Sequence, residues 1–268
     1  MRPDTRPATG SASDRGRRRH AADAVAVIPG PDGLGVAVAD GIADSAAAAL
    51  AARVAADAGA ATAAHDGAVA ALLAAGEAVR AEGKGDAVMV VAAVRPGWCE
   101  IAWVGDCRVY LWDSADALRS AEAPGGAATV RLLTTDQTAA QAVRDTGGTP
   151  PRSWENVVLE TVGTATADTL GHREVPPAVG RLALLTDGVH HELSDGEIGA
   201  VLERAPDVAS AARFLTDAAL LGGAGDNASA TVVDIPILPG ATRPVGNTNP
   251  RMPAVVPSHP AAREGDVA

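Results

Sequence analysis

Apolar residues along the chain fall in short unbroken runs cut by Gly, Pro and Asp. The runs at 24–28, 34–40, 86–94, 99–104, 107–112, 130–134, 181–186 and 228–235 have the length and Val/Ile/Leu content of strands. Weaker strand patterns lie at 157–160 and 168–174. The turn PGPDGLG at 29–35 joins the first two strands into a hairpin, and Arg95-Pro96-Gly97 and Gly105-Asp106 join the next ones. The second of these turns sits in AWVGDCRVYLW, residues 102–112, where two apolar runs meet at a glycine and an acid. Helical signals fill the gaps. Asp44 or Ser45 can cap a helix through about Gly59, and a second helix is predicted over 65–82, closed by EGKG. Thr135 or Asp136 can cap a helix from about Gln137 to Asp145. Ser194-Asp195-Gly196-Glu197 is a capping box opening a helix at 198–204, a further helix covers 208–221, and Gly222 to Gly225 form a loop. The order is strands, two helices, many strands, then helices and a final strand. Hairpin links dominate, which predicts an antiparallel α+β fold rather than a doubly wound one.

The ends have no such periodicity. Residues 1–15 are polar and rich in Arg, Ser, Thr and Pro, so they are expected to form a disordered arm. Residues 237–268 carry Pro, Gly, Asn and Arg and are expected to form a disordered tail, leaving one domain over 16–236. Composition sharpens this reading. The chain is 47% hydrophobic but only 2% aromatic, so its core must be built from Ala, Val and Leu. Lys plus Arg number 22 against 33 Asp plus Glu, a net charge of −11, which argues against nucleic-acid binding. Two cysteines, Cys99 and Cys107, cannot make a disulfide scaffold or a zinc site, and they fit a reducing compartment. Residues 46–64 are apolar but carry Arg53 and Asp57, and the N-terminus has no apolar signal core, so a cytoplasmic protein without a membrane span is expected.

The chemistry-bearing residues are acids at strand ends. Asp40 follows GVAVA, Asp106 stands in the turn after 99–104, Asp187 follows RLALLT, and Asp226 sits in GGAGDNAS just before the last strand. An acid at the end of a buried strand is costly unless its charge is used. Carboxylates gathered from several strand ends suit a hard cation. Arg17, Arg18 and Arg19 run directly into His20-Ala21-Ala22-Asp23, which turns an otherwise ordinary basic run into a candidate anion site. Each acid taken singly has a plainer reading as a turn or cap residue, and Asp226-Asn227 as an Asx-turn. Asp136 is expected to be a helix cap, Asp32 a turn residue, and His190 and His191 surface or loop residues.

The ordered set resembles a known family. Asp23, VADG at 38–41, VGDCR at 104–108, LTTDQT at 133–138, LLTDGV at 184–189 and GDNASATVV at 225–233 are similar to the motifs of the metal-dependent Ser/Thr protein phosphatases, the PPM or type 2C family, over about residues 13–236. The resemblance implies a four-layer α/β/β/α sandwich of two antiparallel sheets flanked by helices. It implies that Asp40 bridges two Mn2+ or Mg2+ ions with help from the Gly41 carbonyl, that Asp187 and Asp226 hold one ion, and that Asp23 stands near the other. Asp106 would help to place a weaker third ion. Arg18, or Arg19 in a shifted register, would hold the substrate phosphate.

The activity so implied is that of a bacterial protein phosphatase. It would hydrolyse phosphoserine and phosphothreonine through a metal-activated water, act as a monomer, and serve a Ser/Thr kinase or that kinase's phosphorylated protein targets. The chain departs from the family pattern at several places: Ala22 precedes Asp23, Asp40-Gly41 continues as Ile42-Ala43-Asp44 without Gly-Gly, Cys107 follows Asp106, Gln137 follows Asp136, and His191 stands where an acid is usual. The alternative reading is a catalytically weak or dead module of the same fold that binds a phosphoprotein or a regulatory partner.

Overall fold

Two five-stranded antiparallel sheets stack face to face, each covered on its outer face by helices. The structure is a computed structural model that describes residues 7–31, 33–95, 98–113, 129–175 and 180–235. One sheet has the order β2 (Asp23–Pro29), β3 (Leu34–Gly41), β4 (Ala87–Arg95), β5 (Trp98–Val104), β8 (Gly171–Val175). The other has the order β1 (Ala8–Asp14), β10 (Ala228–Ile235), β9 (Gly180–Leu185), β6 (Arg108–Asp113), β7 (Thr129–Leu132). Helices α1 (Ala46–Asp66) and α2 (Ala68–Glu82) pack on the first sheet; α5 (Asp195–Arg204) and α6 (Val208–Gly222) pack on the second. Two shorter helices, α3 (Ala139–Asp145) and α4 (Asp187–His190), lie between strands.

The unbroken apolar runs follow from this layering. Strand side chains alternate between faces, and here both faces are dry. In β4, Val88, Val90, Ala92 and Val94 point into the layer between the sheets, while Met89, Val91 and Ala93 point under α1 and α2. In β9, Leu182 and Leu184 face the inner layer, and Ala183 and Leu185 face α5 and α6. The shortage of aromatics is met by alanine: Ala51, Ala52, Ala55, Ala56, Ala60, Ala63, Ala68, Ala71 and Ala75 of α1 and α2 are all buried in the layer against the first sheet.

Several elements differ from the sequence reading. The arm expected over 1–15 contains β1, which pairs with β10 from Ala8–Asp234 to Asp14–Ala228. Its sequence ATGSASD lacks an apolar pattern because it is an edge strand held by backbone bonds and by small-residue pairs such as Ser11 with Thr231 at 3.0 Å. Helix α1 runs through Gly59 instead of stopping there, because the missing side chain makes room for Met89: a Cβ on Gly59 would lie 2.2 Å from the Met89 Cε. The 157–160 pattern forms a single bridge, Thr138 to Val158, rather than a strand. Thr138, not Asp136, caps α3. The predicted turn residue Asp32 and the tail 237–268 lie outside the described residues.

Candidate active site

The strand register brings the acids to one edge of the sandwich. Asp23 opens β2 directly opposite Asp40 near the end of β3, and Asp40 is in turn opposite Val88 at the start of β4. Asp106 follows β5 by two residues, Asp187 follows β9 by two, and Asp226 precedes β10 by two. Gly105 makes the turn before Asp106 at φ +87°, where an added Cβ would lie 2.2 Å from the Val88 Cγ1. Asp40, Gly41, Asp106, Asp187 and Asp226 line a cavity of about 150 Å3 together with Arg18, the loop Ile42-Ala43-Asp44, Asn156, Val158 and Asn227. Asp23 stands behind this wall, its Oδ2 accepting from the Thr186 hydroxyl at 2.8 Å.

Their mutual charge is felt throughout the cluster. Burial, and then the charges of Asp23, Asp187, Asp106 and Asp226, hold Asp40 well above the usual carboxylate range. Burial, with a smaller push from a neighbouring acid, also raises Asp187 and Asp23, partly offset by His191 at the first and by the Ser229 and Thr186 hydroxyls at the second. Asp106 is pushed up to about 7, chiefly by burial and then by Asp187 and Asp136. Two carboxylate oxygens, Asp23 Oδ1 and Asp187 Oδ1, are buried with no hydrogen-bond partner. Buried acids without partners are unfavourable, and a hard divalent cation is the ligand that suits an all-oxygen donor set. Among the described residues, no group of three or more such side chains stands close enough together to clamp an ion by itself. Mutual repulsion opposes closer approach, and Asp226 turns its carboxylate to the Arg18 guanidinium. The chemistry of the donor set fits a divalent ion.

The basic arm is fixed by Asn227, read from the sequence only as part of an Asx-turn, and by Asp44, read there as a candidate helix cap, a place that Ser45 takes. Asn227 is 3% exposed; its Oδ1 accepts from the Ala22 N–H at 2.6 Å, and its Nδ2 donates to the carbonyls of Arg15 and His20 at 2.7 and 3.1 Å. The Asp44 carboxylate accepts from the N–H groups of Arg19 and His20 at 3.0 and 2.8 Å and from the His20 ring, which hold it down to about 2. Arg18 thereby faces the cavity, while Arg19 has an exposed side chain and does not line it. The only cue in the sequence was Asn227 beside Asp226 in a glycine loop.

The remaining candidates sort as follows. Asp136 makes a two-pronged ion pair with Arg108, at 2.9 and 2.7 Å, instead of capping a helix. His190 is not a surface residue: it is 5% exposed, its Nε2 donates to the Asp106 carbonyl at 3.0 Å, and burial pushes its pKa well down. His191 is exposed, as the sequence suggested, and lies 3.7 Å from the Asp187 carboxylate, outside the residues that line the cavity. Cys107 is buried, and burial beside the acids raises its thiol well above its ordinary value.

The same architecture occurs in solved structures. PppA of Pseudomonas aeruginosa, described as a key regulatory component of its T6SS, is 25% identical over 85% of this chain and 97% of its own, with a TM-score of 0.68. The catalytic domain of the serine/threonine phosphatase PstP in complex with two manganese ions is 24% identical over 85% of this chain and 97% of its own, with a TM-score of 0.69. The PPM Ser-Thr phosphatase MsPP of Mycobacterium smegmatis, in complex with cacodylate, is 22% identical over 85% and 98%, with a TM-score of 0.67. The fold is that of the PPM Ser/Thr phosphatases. The match spans nearly the whole of each of these chains, so the two sheets and their flanking helices correspond as one unit. No protein-family model matches the sequence, and no curated protein matches it. Among the described residues no helix is long and apolar enough to cross a membrane.

Proposed function

We propose that the chain is a metal-dependent protein serine/threonine phosphatase. The observation that carries this reading is the convergence of Asp40, Asp106, Asp187 and Asp226 with Arg18 on one cavity at the sheet edge of a PPM fold. Asp40, the Gly41 carbonyl, Asp187 and Asp226 would hold Mn2+ or Mg2+, with Asp23 behind them and Asp106 toward a third, weaker ion. When bound, two such ions supply a water of lowered pKa and neutralise charge on a phosphoryl group. The rest falls to the chain. The Arg18 guanidinium offers a planar, two-pronged grip on a phosphate. Asn227 and Asp44 fix the backbone on either side of Arg18, so the guanidinium is presented at the cavity with little freedom to lose. A cysteine nucleophile is disfavoured, because the only thiol beside the acids, Cys107, is buried and protonated. The substrate class supported is a phosphoserine or phosphothreonine protein in bacterial signalling. A second reading, a phosphoprotein-binding module that does not turn over, is favoured by the pairing of Asp226 with Arg18.

Hydrolysis of p-nitrophenyl phosphate and of a phosphothreonine peptide, with Mn2+, Mg2+ or chelator, separates the two. The enzyme reading expects turnover with metal and none in EDTA. Full activity in EDTA removes the metal from the mechanism, and peptide binding without turnover selects the module.

A further inference from the structure

Residues 156–170 have little regular structure, yet Asn156 and Val158 form part of the cavity wall. What holds them there is a small set of hydrogen bonds. One group gathers at Gln137. Its Oε1 accepts from the Gly105 N–H at 3.0 Å and its own N–H donates to the Gly105 carbonyl at 2.9 Å. Its Nε2 donates to the Thr169 carbonyl at 2.7 Å, and its carbonyl accepts from the Leu159 N–H at 2.8 Å. A single residue therefore bonds to the turn that carries Asp106 and to both ends of the wall segment. A second anchor is independent of that turn. The Asp86 carboxylate accepts from the Thr161 hydroxyl at 2.6 Å and from the Gly163 N–H at 2.8 Å.

The geometry points to Gln137 as a positioning residue that ties the Gly105-Asp106 turn to the 156–170 wall, so that two sides of the cavity open and close as one unit. The amide is suited to this because it accepts at one atom and donates at the other. A carboxylate would keep the bond to Gly105 but lose the one to Thr169, and an apolar side chain of the same length would lose both. The coupling itself does not depend on catalysis; its consequence for substrate binding rests on the phosphatase reading.

Native-state hydrogen exchange on the full-length protein, with and without Mn2+, tests it. In the wild type, amides at 105–107 and 157–170 should open with the same free energy and the same urea dependence, as one cooperative unit. Two separable openings would overturn the proposal, without any variant having to fold. In Gln137→Met, both stretches should exchange at least about tenfold faster while β3 and β4 keep their protection. In Asp86→Asn, which loosens the wall at Thr161 and Gly163 without touching the Gly105 turn, 105–107 and 157–170 should still accelerate together, and acceleration confined to 160–165 would overturn the coupling. A uniform acceleration across the molecule, or one confined to a single stretch in Gln137→Met, would leave Gln137 as ordinary filling and overturn the proposal. If the wild type hydrolyses phosphopeptide, Gln137→Met should raise KM about fivefold or more with a smaller change in kcat, the pattern of a lost binding wall. An inactive wild type would sink the phosphatase reading alone, since the exchange data decide the coupling either way.

Discussion

Ala43 and Gly105 both hold φ at +87°, one with a side chain and one without. Both line or flank the cavity, Ala43 in the loop between Asp40-Gly41 and the Ser45 cap of α1. A left-handed backbone costs an L-residue with a Cβ about 1–2 kcal/mol. Ala43→Gly removes that strain but loosens the unfolded chain, which returns about 0.4–1 kcal/mol of the gain. The net expectation is a stabilisation of about 0.5–1 kcal/mol, or roughly 1–4 °C in Tm for a domain of this size. The converse change is not its mirror image. Gly105→Ala takes on the same backbone strain and also drives a Cβ to 2.2 Å from Val88, a side chain buried in β4. Overpacking of that kind adds about 1–3 kcal/mol, and the stiffer unfolded chain offsets about 0.4–1 kcal/mol, so a loss of about 1–4 kcal/mol is expected.

Urea denaturation of wild type, Ala43→Gly and Gly105→Ala, each in EDTA and in Mn2+, measures both. Equal m-values are required, so that the difference reads the folded state and its local strain. An Ala43→Gly protein less stable than wild type under both conditions would refute the strain argument, because nothing else in the substitution removes a contact of comparable size.

Asp187→Asn keeps the shape and removes a negative ligand; turnover is expected to fall about 100-fold with the fold intact by circular dichroism, and near wild-type rates at equal metal affinity would take Asp187 out of the ligand set. Asp106 has a folded pKa of about 7 against an unfolded 3.8, so the folded state binds more protons between those values and stability falls as pH rises through them. In EDTA, raising the pH from about 5 to about 8 should therefore cost about 2–3 kcal/mol from this group alone, and saturating Mn2+ should flatten the profile; a chelated protein that is more stable at the higher pH would contradict the sign. Asn227→Ala strands the Ala22 N–H and the Arg15 and His20 carbonyls and should destabilise by about 2–3 kcal/mol in urea titrations, with KM for a phosphopeptide rising because Arg18 loses its fixed backbone.

What the sequence made legible, and what it hid, follows from how each feature is encoded. Strands buried on both faces write themselves as unbroken apolar runs, so β3, β4, β9 and β10 could be read off with errors of a residue or so, and the acids at their ends could be named before any register was known. Edge strand β1 writes no such run, because its stability comes from backbone pairing with β10 and its outer positions face water. Gly59 looked like a stop because a helix interior disfavours glycine by about 1 kcal/mol; packing against Met89 outweighs that penalty, and no local pattern records a partner thirty residues away in another element. The same limit governs the site. Asp40 and Asp187 announce themselves by standing after apolar runs, whereas Asn227, Asp44 and Gln137 act through backbone groups that are distant in sequence, and a backbone N–H carries no residue name. Asp136 shows the limit most sharply. Its local surroundings fit a helix cap, yet Thr138 can cap α3 alone, and Arg108 is half-buried in a place where its guanidinium must find a carboxylate. The burial of Arg108, decided by β6 pairing with β9, assigns Asp136 its partner; the role is set by the sheet and only permitted by the sequence around it.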